Sequence, residues 1–219
     1  MDKTSIIGQT RNYIQRLFKG EGTGHDYLHI ERVVTNALQL QKAEGGDRFV
    51  VEMGALLHDV GDHKLFDKEP RELISEFLEN FDLGSDQQEA IISIAEQVSF
   101  KGKQQKEKPD SLEGEIVQDA DRLDAIGAIG IARTFTYGGS INQPIFDPEL
   151  NPTEHNSFEE YKKKRSTTIN HFYEKLLLLK DRMNTITGKN LAVERHKFMI
   201  GFLKHFYSEL DLNLPSVLK

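Results

Sequence analysis

Apolar residues recur three and four positions apart along almost the whole chain, and no stretch alternates apolar with polar residues as a half-buried strand does. Clear stripes begin at Ile30 and at Val50. Others follow Pro70, which suits a first helical turn, and Ser85, which has capping-box spacing with Gln88. The pattern predicts an all-α fold, a single helical bundle.

Three features organise the second half of the chain. Small residues are frequent over 111–135, which predicts one helix packed closely against its neighbours. Residues 137–156 hold two adjacent glycines and three prolines, so we expect a loop there, either a lid over a site or a surface loop without a role. A long helix over 157–183, with a capping box at Ser157, and a separate last helix after Gly188 complete the prediction.

No repeat and no shift in composition marks a domain boundary in the 219 residues. We therefore expect a single domain over residues 1–219. Its core is expected over about 20–135 and a helical tail over about 157–212.

Composition excludes several classes of protein. The chain has no cysteine, which excludes disulfides, thiolate metal sites and cysteine nucleophiles and is consistent with a reducing cytoplasm. A net charge of −7 argues against long nucleic acid as a partner. No apolar stretch reaches the ~20 residues that cross a bilayer, and the first residues show no basic region followed by an apolar run, so we expect no secretory signal there. We expect a cytoplasmic protein without a membrane partner; a homodimer stays open.

Histidines and aspartates occur at the edges of several buried stripes. His58 follows Gly54 by four residues, on the apolar face of its helix, and Asp59 comes next. His29 adjoins Ile30, and Asp121 lies on a helix with a strong apolar face. If two imidazoles and two carboxylates converged, the set would suit Mn, Fe, Co, Ni or Zn better than Ca. Taken singly, each is more often a hydrogen-bonded or solvated residue, so spacing alone does not establish a site.

Three segments resemble the HD-domain metal phosphohydrolases, namely 24–33 (GHDYLHIERV), 55–64 (ALLHDVGDHK) and 119–124 (DADRLD). Within that superfamily the chain is similar to a group of small bacterial proteins, the YpgQ- and YedJ-like proteins. The resemblance extends over about 20–206 and includes the segments 99–102 (SFKG) and 171–176 (HFYEKL). It implies a helical HD domain.

The same resemblance implies a metal centre. Its ligands would be His29, His58, Asp59 and Asp121, holding one divalent ion. Manganese is favoured, with nickel, cobalt, iron, zinc or magnesium as alternatives. Asp119 and Asp124 compete with Asp121 for the last position, and the sequence Ala-Asp-Arg-Leu favours Asp121.

Acid–base and phosphate-binding residues follow from the family pattern. Carboxylates four and nine residues after the motif histidine are Asp62 and Asp67, expected to orient water, to take its proton or to protonate the leaving group. Asp67 is also well placed to cap the helix before Pro70. The candidates for contacting phosphate oxygens are His25, Arg32, Lys64, Lys101, His171 and Lys175. Each of these could equally be a solvated charge or part of an ion pair.

The implied activity is hydrolysis of a small phosphorylated substrate, a nucleotide. The YpgQ-like group implies cleavage of a nucleoside or deoxynucleoside triphosphate to the monophosphate and pyrophosphate. A nucleoside 5′-monophosphatase on the same site is one alternative. A metal-stabilised sensor or interaction domain with little turnover is another.

Overall fold

The structure is a computed structural model that describes residues 2–20, 26–61, 66, 68–98, 108–152, 166–213 and 215. Within these residues every regular element is a helix, so the predicted all-α fold is confirmed. The helices are α1 Lys3–Leu17, α2 Tyr27–Glu44, α3 Arg48–Leu57, α4 Pro70–Leu78, α5 Ser85–Val98, α6 Leu112–Asp124, α7 Gly127–Ser140, α8 Thr168–Glu174 and α9 Ile186–Glu209. A 3₁₀ helix, Leu176–Arg182, joins α8 to α9.

Polar side chains begin most of these helices by accepting hydrogen bonds from free backbone N–H groups. Asp47 caps α3, and α4 begins at Pro70, as the sequence predicts for that proline. The capping box predicted at Ser85 is wrong. Ser85 is already inside α5, and the Gln88 side chain donates back to the Leu83 carbonyl instead.

The core is built around α2, which packs against α3 and α6. On the outside, α1 lies on α3 and α4 on α5, while α9 contacts α7, α6 and α2. One cluster of buried apolar side chains extends from Ile6 in α1 to Tyr207 in α9. No helix in the described part of the chain is long and apolar enough to cross a membrane.

The single helix predicted over 111–135 is wrong, because the chain breaks between α6 and α7. Gly127 begins α7 with a φ of 77°, a conformation that suits glycine. Gly130 lies so close to the Ala125 carbonyl that a Cβ there would overlap it. The small residues therefore allow a tight turn, and α7 changes direction instead of continuing α6.

The prediction that Gly188 separates two helices is also wrong. Gly188 lies in the first turn of α9, where a Cβ would overlap the Asp119 carboxylate. The long helix predicted over 157–183 is, in its described part, the short α8 followed by the 3₁₀ helix. The capping box at Ser157 lies outside the described residues.

The predicted loop over 137–156 begins later than expected, because α7 continues to Ser140. The following residues bond to α8: Thr168 N–H donates to the Pro144 carbonyl at 2.9 Å and Ile169 N–H to the Ile145 carbonyl at 3.0 Å. The Phe146 ring packs on Phe206 and Tyr207 of α9. Residues 144–146 therefore contact both α8 and α9, and the lid and surface-loop alternatives both stay predictions.

Candidate metal centre

His29 lies in the first turn of α2, and the residue before that helix fixes its position. The Asp26 carboxylate caps α2 by accepting from the His29 backbone N–H at 2.8 Å. The imidazole of His29 is fully buried and points toward α3 and α6.

His58 and Asp59 come directly after α3 ends at Leu57. Both side chains are buried, and the His29 and His58 rings meet edge to face with centroids 5.4 Å apart. The Asp59 carboxylate lies between them, with one oxygen 3.4 Å from His29 Nε2 and the other 3.4 Å from His58 Nε2.

Asp121 completes the group from α6. Its Oδ1 lies 3.6 Å from His29 Nε2 and 3.9 Å from His58 Nε2. Ligand atoms of His29, His58 and Asp121 all lie within 4.8 Å of one another, so these three can hold a metal ion. About a third of the Asp121 side chain is exposed, whereas Asp59 and both imidazoles are buried, so the group opens to solvent on the Asp121 side.

The second nitrogen of each imidazole is held on the side away from this group. His58 Nδ1 donates to the Ala55 carbonyl at 2.8 Å, because a carbonyl can only accept. His29 Nδ1 bonds to the Asp124 carboxylate at 2.8 Å. With Nδ1 carrying the proton, a neutral ring presents its Nε2 lone pair to the centre, which is the tautomer that a metal ligand needs.

The charges around His29 are strongly coupled. Burial alone would lower the pKa of His29, but hydrogen bonds with Asp124 and Asp59 outweigh it and raise the pKa to about 9. Burial would raise the pKa of Asp124, but bonds from His29 and Arg32 hold it well below the usual range of an aspartate. Because a ligand imidazole must be deprotonated, a divalent cation at Nε2 would take the place of this proton.

The three aspartates that compete for the last ligand position have different surroundings. Asp121 faces the imidazoles, whereas Asp124 contacts the far nitrogen of His29. Asp119 is buried on another side of α6, where it accepts from Asn184 and Thr185 at the start of α9.

The predicted phosphate-binding residues fall into two groups. His25, Lys64 and Lys101, together with the acid–base candidates Asp62 and Asp67, lie outside the described residues. The other group consists of Arg32, His171 and Lys175.

Arg32 binds Asp124, with Nε 2.7 Å from Oδ1. His171 and Lys175 belong to α8 and the residue after it, and α8 packs mainly on α7 and the 3₁₀ helix. Burial and the neighbouring Lys175 lower the pKa of His171 to about 3, so a contact with phosphate would be a hydrogen bond of a neutral ring. The phosphate roles of all three stay predictions.

Arg133 also contacts the carboxylate behind His29, and no sequence motif pointed to it. It lies on α7 and donates to Asp124 at 2.8 Å. Nothing in the local sequence signals this contact, because it depends on the break between α6 and α7.

Known proteins resemble the chain over nearly its whole length. The sequence model of the HD domain matches residues 26–126, which include all four candidate ligands. The Bacillus subtilis protein YpgQ is 38% identical over 214 residues, 95% of this chain and 94% of YpgQ.

Solved structures agree with this similarity. The crystal structure of B. subtilis YpgQ in complex with ADP has a TM-score of 0.75 and 35% identity, covering 93% of this chain and 97% of that one. An HD-superfamily hydrolase from Bacillus thuringiensis has a TM-score of 0.77 and 38% identity, covering 97% and 100%. Both match in sequence as well as in fold.

Proposed function

Because the chain belongs to the HD-domain family, we propose that it is a metal-dependent phosphohydrolase acting on nucleotides. The observation that carries the proposal is the convergence of His29 Nε2, His58 Nε2 and the Asp121 carboxylate within 4.8 Å, with Asp59 3.4 Å from each imidazole. Without a cation the Asp59 and Asp121 carboxylates would repel each other, and the imidazoles would have to take up protons to offset their charge.

The donor set fits a divalent transition metal. Imidazole nitrogen with carboxylate oxygen suits Mn, Fe, Co, Ni or Zn, and manganese is our proposed ion. His29, His58, Asp59 and Asp121 would hold it, and the exposed side of Asp121 leaves the centre accessible to a substrate. When bound, such a cation polarises a phosphate oxygen and lowers the pKa of water.

Acid–base and phosphate contacts come from the family pattern. Asp62 is proposed to orient the attacking water or take its proton, and Asp67 to assist or to protonate the leaving group. His25, Lys64 and Lys101 are proposed to contact phosphate oxygens. These residues are close in sequence to the ligands or to shared family segments, and that proximity is what supports their roles.

A nucleotide is the proposed substrate because the YpgQ relative was solved in complex with ADP. We propose a nucleoside or deoxynucleoside triphosphate, cleaved to the monophosphate and pyrophosphate. A small anion is compatible with the net charge of −7, since a bound cation reverses the local field.

The test is a panel of nucleoside mono-, di- and triphosphates, each with Mn²⁺, Co²⁺, Ni²⁺ or Mg²⁺. Pyrophosphate and orthophosphate are measured separately. Asp121→Ala is run beside Asp86→Ala, which removes an exposed carboxylate of α5. We expect pyrophosphate from triphosphates, lost in Asp121→Ala and kept in Asp86→Ala. Orthophosphate from monophosphates would assign a 5′-monophosphatase, and no turnover by the metal-bound protein would leave a sensor or interaction domain.

A further inference from the structure

Asp124 is a buried carboxylate whose two oxygens are both engaged. Oδ2 bonds to His29 Nδ1 at 2.8 Å and accepts from Arg133 at 2.8 Å and from Arg32 at 3.1 Å. Oδ1 accepts from Arg32 Nε at 2.7 Å. Arg32 therefore donates two hydrogen bonds to the carboxylate, and Arg133 donates one to the oxygen that also contacts His29. The carboxylate cannot rotate or withdraw without breaking charged hydrogen bonds.

We propose that Asp124 is the positioning residue for the metal ligand His29, and that Arg32 and Arg133 act on the metal through it. The inference rests on the metal centre proposed above. A carboxylate on the far nitrogen of a ligand imidazole fixes the ring's tautomer and orientation and makes the other nitrogen a better donor. Here the carboxylate is itself fixed by two guanidinium groups, so the orientation of His29 depends on all three residues.

The helix break makes this arrangement possible. Arg133 is nine residues after Asp124, and in a continuous helix the two would stand ~13 Å apart along the axis. The turn at Gly127 redirects α7, and the Arg133 guanidinium comes within 2.8 Å of Asp124. The break that the sequence pattern did not predict is therefore part of the support for His29.

The role assigned to Arg32 differs from phosphate binding. Its guanidinium borders a cleft of about 490 Å³, which Asp124, Gly127, Arg195 and Phe198 also line. None of the four candidate ligands is among the described residues that line this cleft. The open space beside Arg32 is thus separated from the metal-facing side of His29 by Asp124, which places Arg32 behind the ligand.

The experiment measures Mn²⁺ affinity without substrate, by calorimetry and by the electron paramagnetic resonance signal of free Mn²⁺. Arg32→Gln and Arg133→Gln are compared with wild type and with Arg11→Gln. Arg11 is a matched control, since its side chain is 30% exposed against 33% for Arg32 and it too forms ion pairs with carboxylates, those of Glu31 and Glu52. Loss of a partner behind a metal ligand typically weakens metal binding ~10–100-fold.

We expect weakening toward that range in Arg32→Gln and Arg133→Gln, and wild-type affinity in Arg11→Gln. The absorption spectrum of bound Co²⁺ should also change in the first two variants only, because it reports ligand geometry. Arg32→Lys should recover part of the affinity, since it restores the charge without the two-pronged contact.

Wild-type Mn²⁺ affinity and Co²⁺ spectra in both folded variants would overturn the proposal. If Arg32→Gln then raised only the KM for nucleotide, Arg32 would be a substrate-binding residue. Failure of the proposed function is a different result: a wild type that binds Mn²⁺ but hydrolyses no nucleotide would refute the activity and leave the role of Asp124 standing. A wild type that binds no divalent cation would refute both.

Discussion

Helix α6 contributes one carboxylate, Asp119 or Asp121, to each of two polar clusters whose surroundings differ. At the Asp119 cluster, meaning Asp119, Asn184 and Thr185, one carboxylate accepts from the backbone N–H and the side chain of both neighbours. At the candidate metal centre, two carboxylates face two imidazole nitrogens across gaps of 3.4–3.9 Å. The first arrangement satisfies a charge with hydrogen bonds, whereas the second leaves space for a cation.

The comparison shows that burial of an aspartate does not by itself indicate function. Burial raises the pKa of Asp119, although the donors from Asn184 and Thr185 oppose that shift. Burial would also raise the pKa of Asp124, but its hydrogen bonds with His29 and Arg32 and the nearby charge of Arg133 outweigh burial and lower it. Neutral donors join α6 to the start of α9, whereas charged partners hold a carboxylate ionised beside His29.

The largest expected effect is at the metal centre. His58→Ala should remove Mn²⁺ binding and reduce hydrolysis to background, because it removes one of the two imidazoles of the candidate ligand set. Metal content after dialysis is measured by mass spectrometry. His205→Ala, on the exposed face of α9, controls for adventitious binding by histidine. Full metal content in His58→Ala would show that the metal binds elsewhere and that His58 is not a ligand.

The next largest effect is a loss of catalysis without a loss of metal binding. Asp62→Asn should keep metal content while turnover falls on the order of 10²–10⁴-fold, since an amide of the same size cannot accept a proton. Turnover is measured at saturating Mn²⁺, with Asp62→Glu as the variant that retains a base. Near-normal turnover in Asp62→Asn would assign Asp62 a structural role.

Substitution in the Asp119 cluster should lower the stability of the protein and leave metal binding unchanged. Asp119→Ala leaves the buried donors of Asn184 and Thr185 without an acceptor, so unfolding should become easier by about 3 kcal/mol. Urea denaturation measures this loss, and a Mn²⁺ titration of the folded variant should match wild type. If metal affinity fell together with stability, Asp119 would belong to the metal centre.

Part of this difference is readable in the sequence. Successive helical residues turn by ~100°, so Asp121 and Asp124 lie only ~60° apart around α6, whereas Asp119 lies ~140° or more from both. A helical wheel therefore places Asp121 and Asp124 on one face of α6 and Asp119 on another. What it cannot give is the partner of each, because Arg32, Arg133 and Thr185 come from other helices.

A helix start was predictable where a clear start signal precedes an apolar stripe, as at Pro70. The break at Gly127 was not, because apolar residues continue at helical spacing on both sides of it. Nor was the start of α9, although Thr185, a residue that favours N-cap positions, stands directly before Ile186. Asp62, Lys64 and Lys101 lie outside the described residues, so their roles stay predictions.

The smallest expected effect is the loss of stability on removing the Thr185 hydroxyl. It is compared with the loss at Thr167, because both are buried threonines that cap a helix. Thr185 Oγ1 accepts from Gly188 N–H and also donates to Asp119 at 2.8 Å, while Thr167 accepts from Asn170 N–H at the start of α8. Valine has the same shape, so Thr167→Val should cost about 1 kcal/mol for the lost cap. Thr185→Val should cost about 1 kcal/mol more, because Asp119 also loses a donor. Paired urea denaturation curves measure the difference, and equal losses would mean that this hydroxyl contributes nothing to holding the carboxylate.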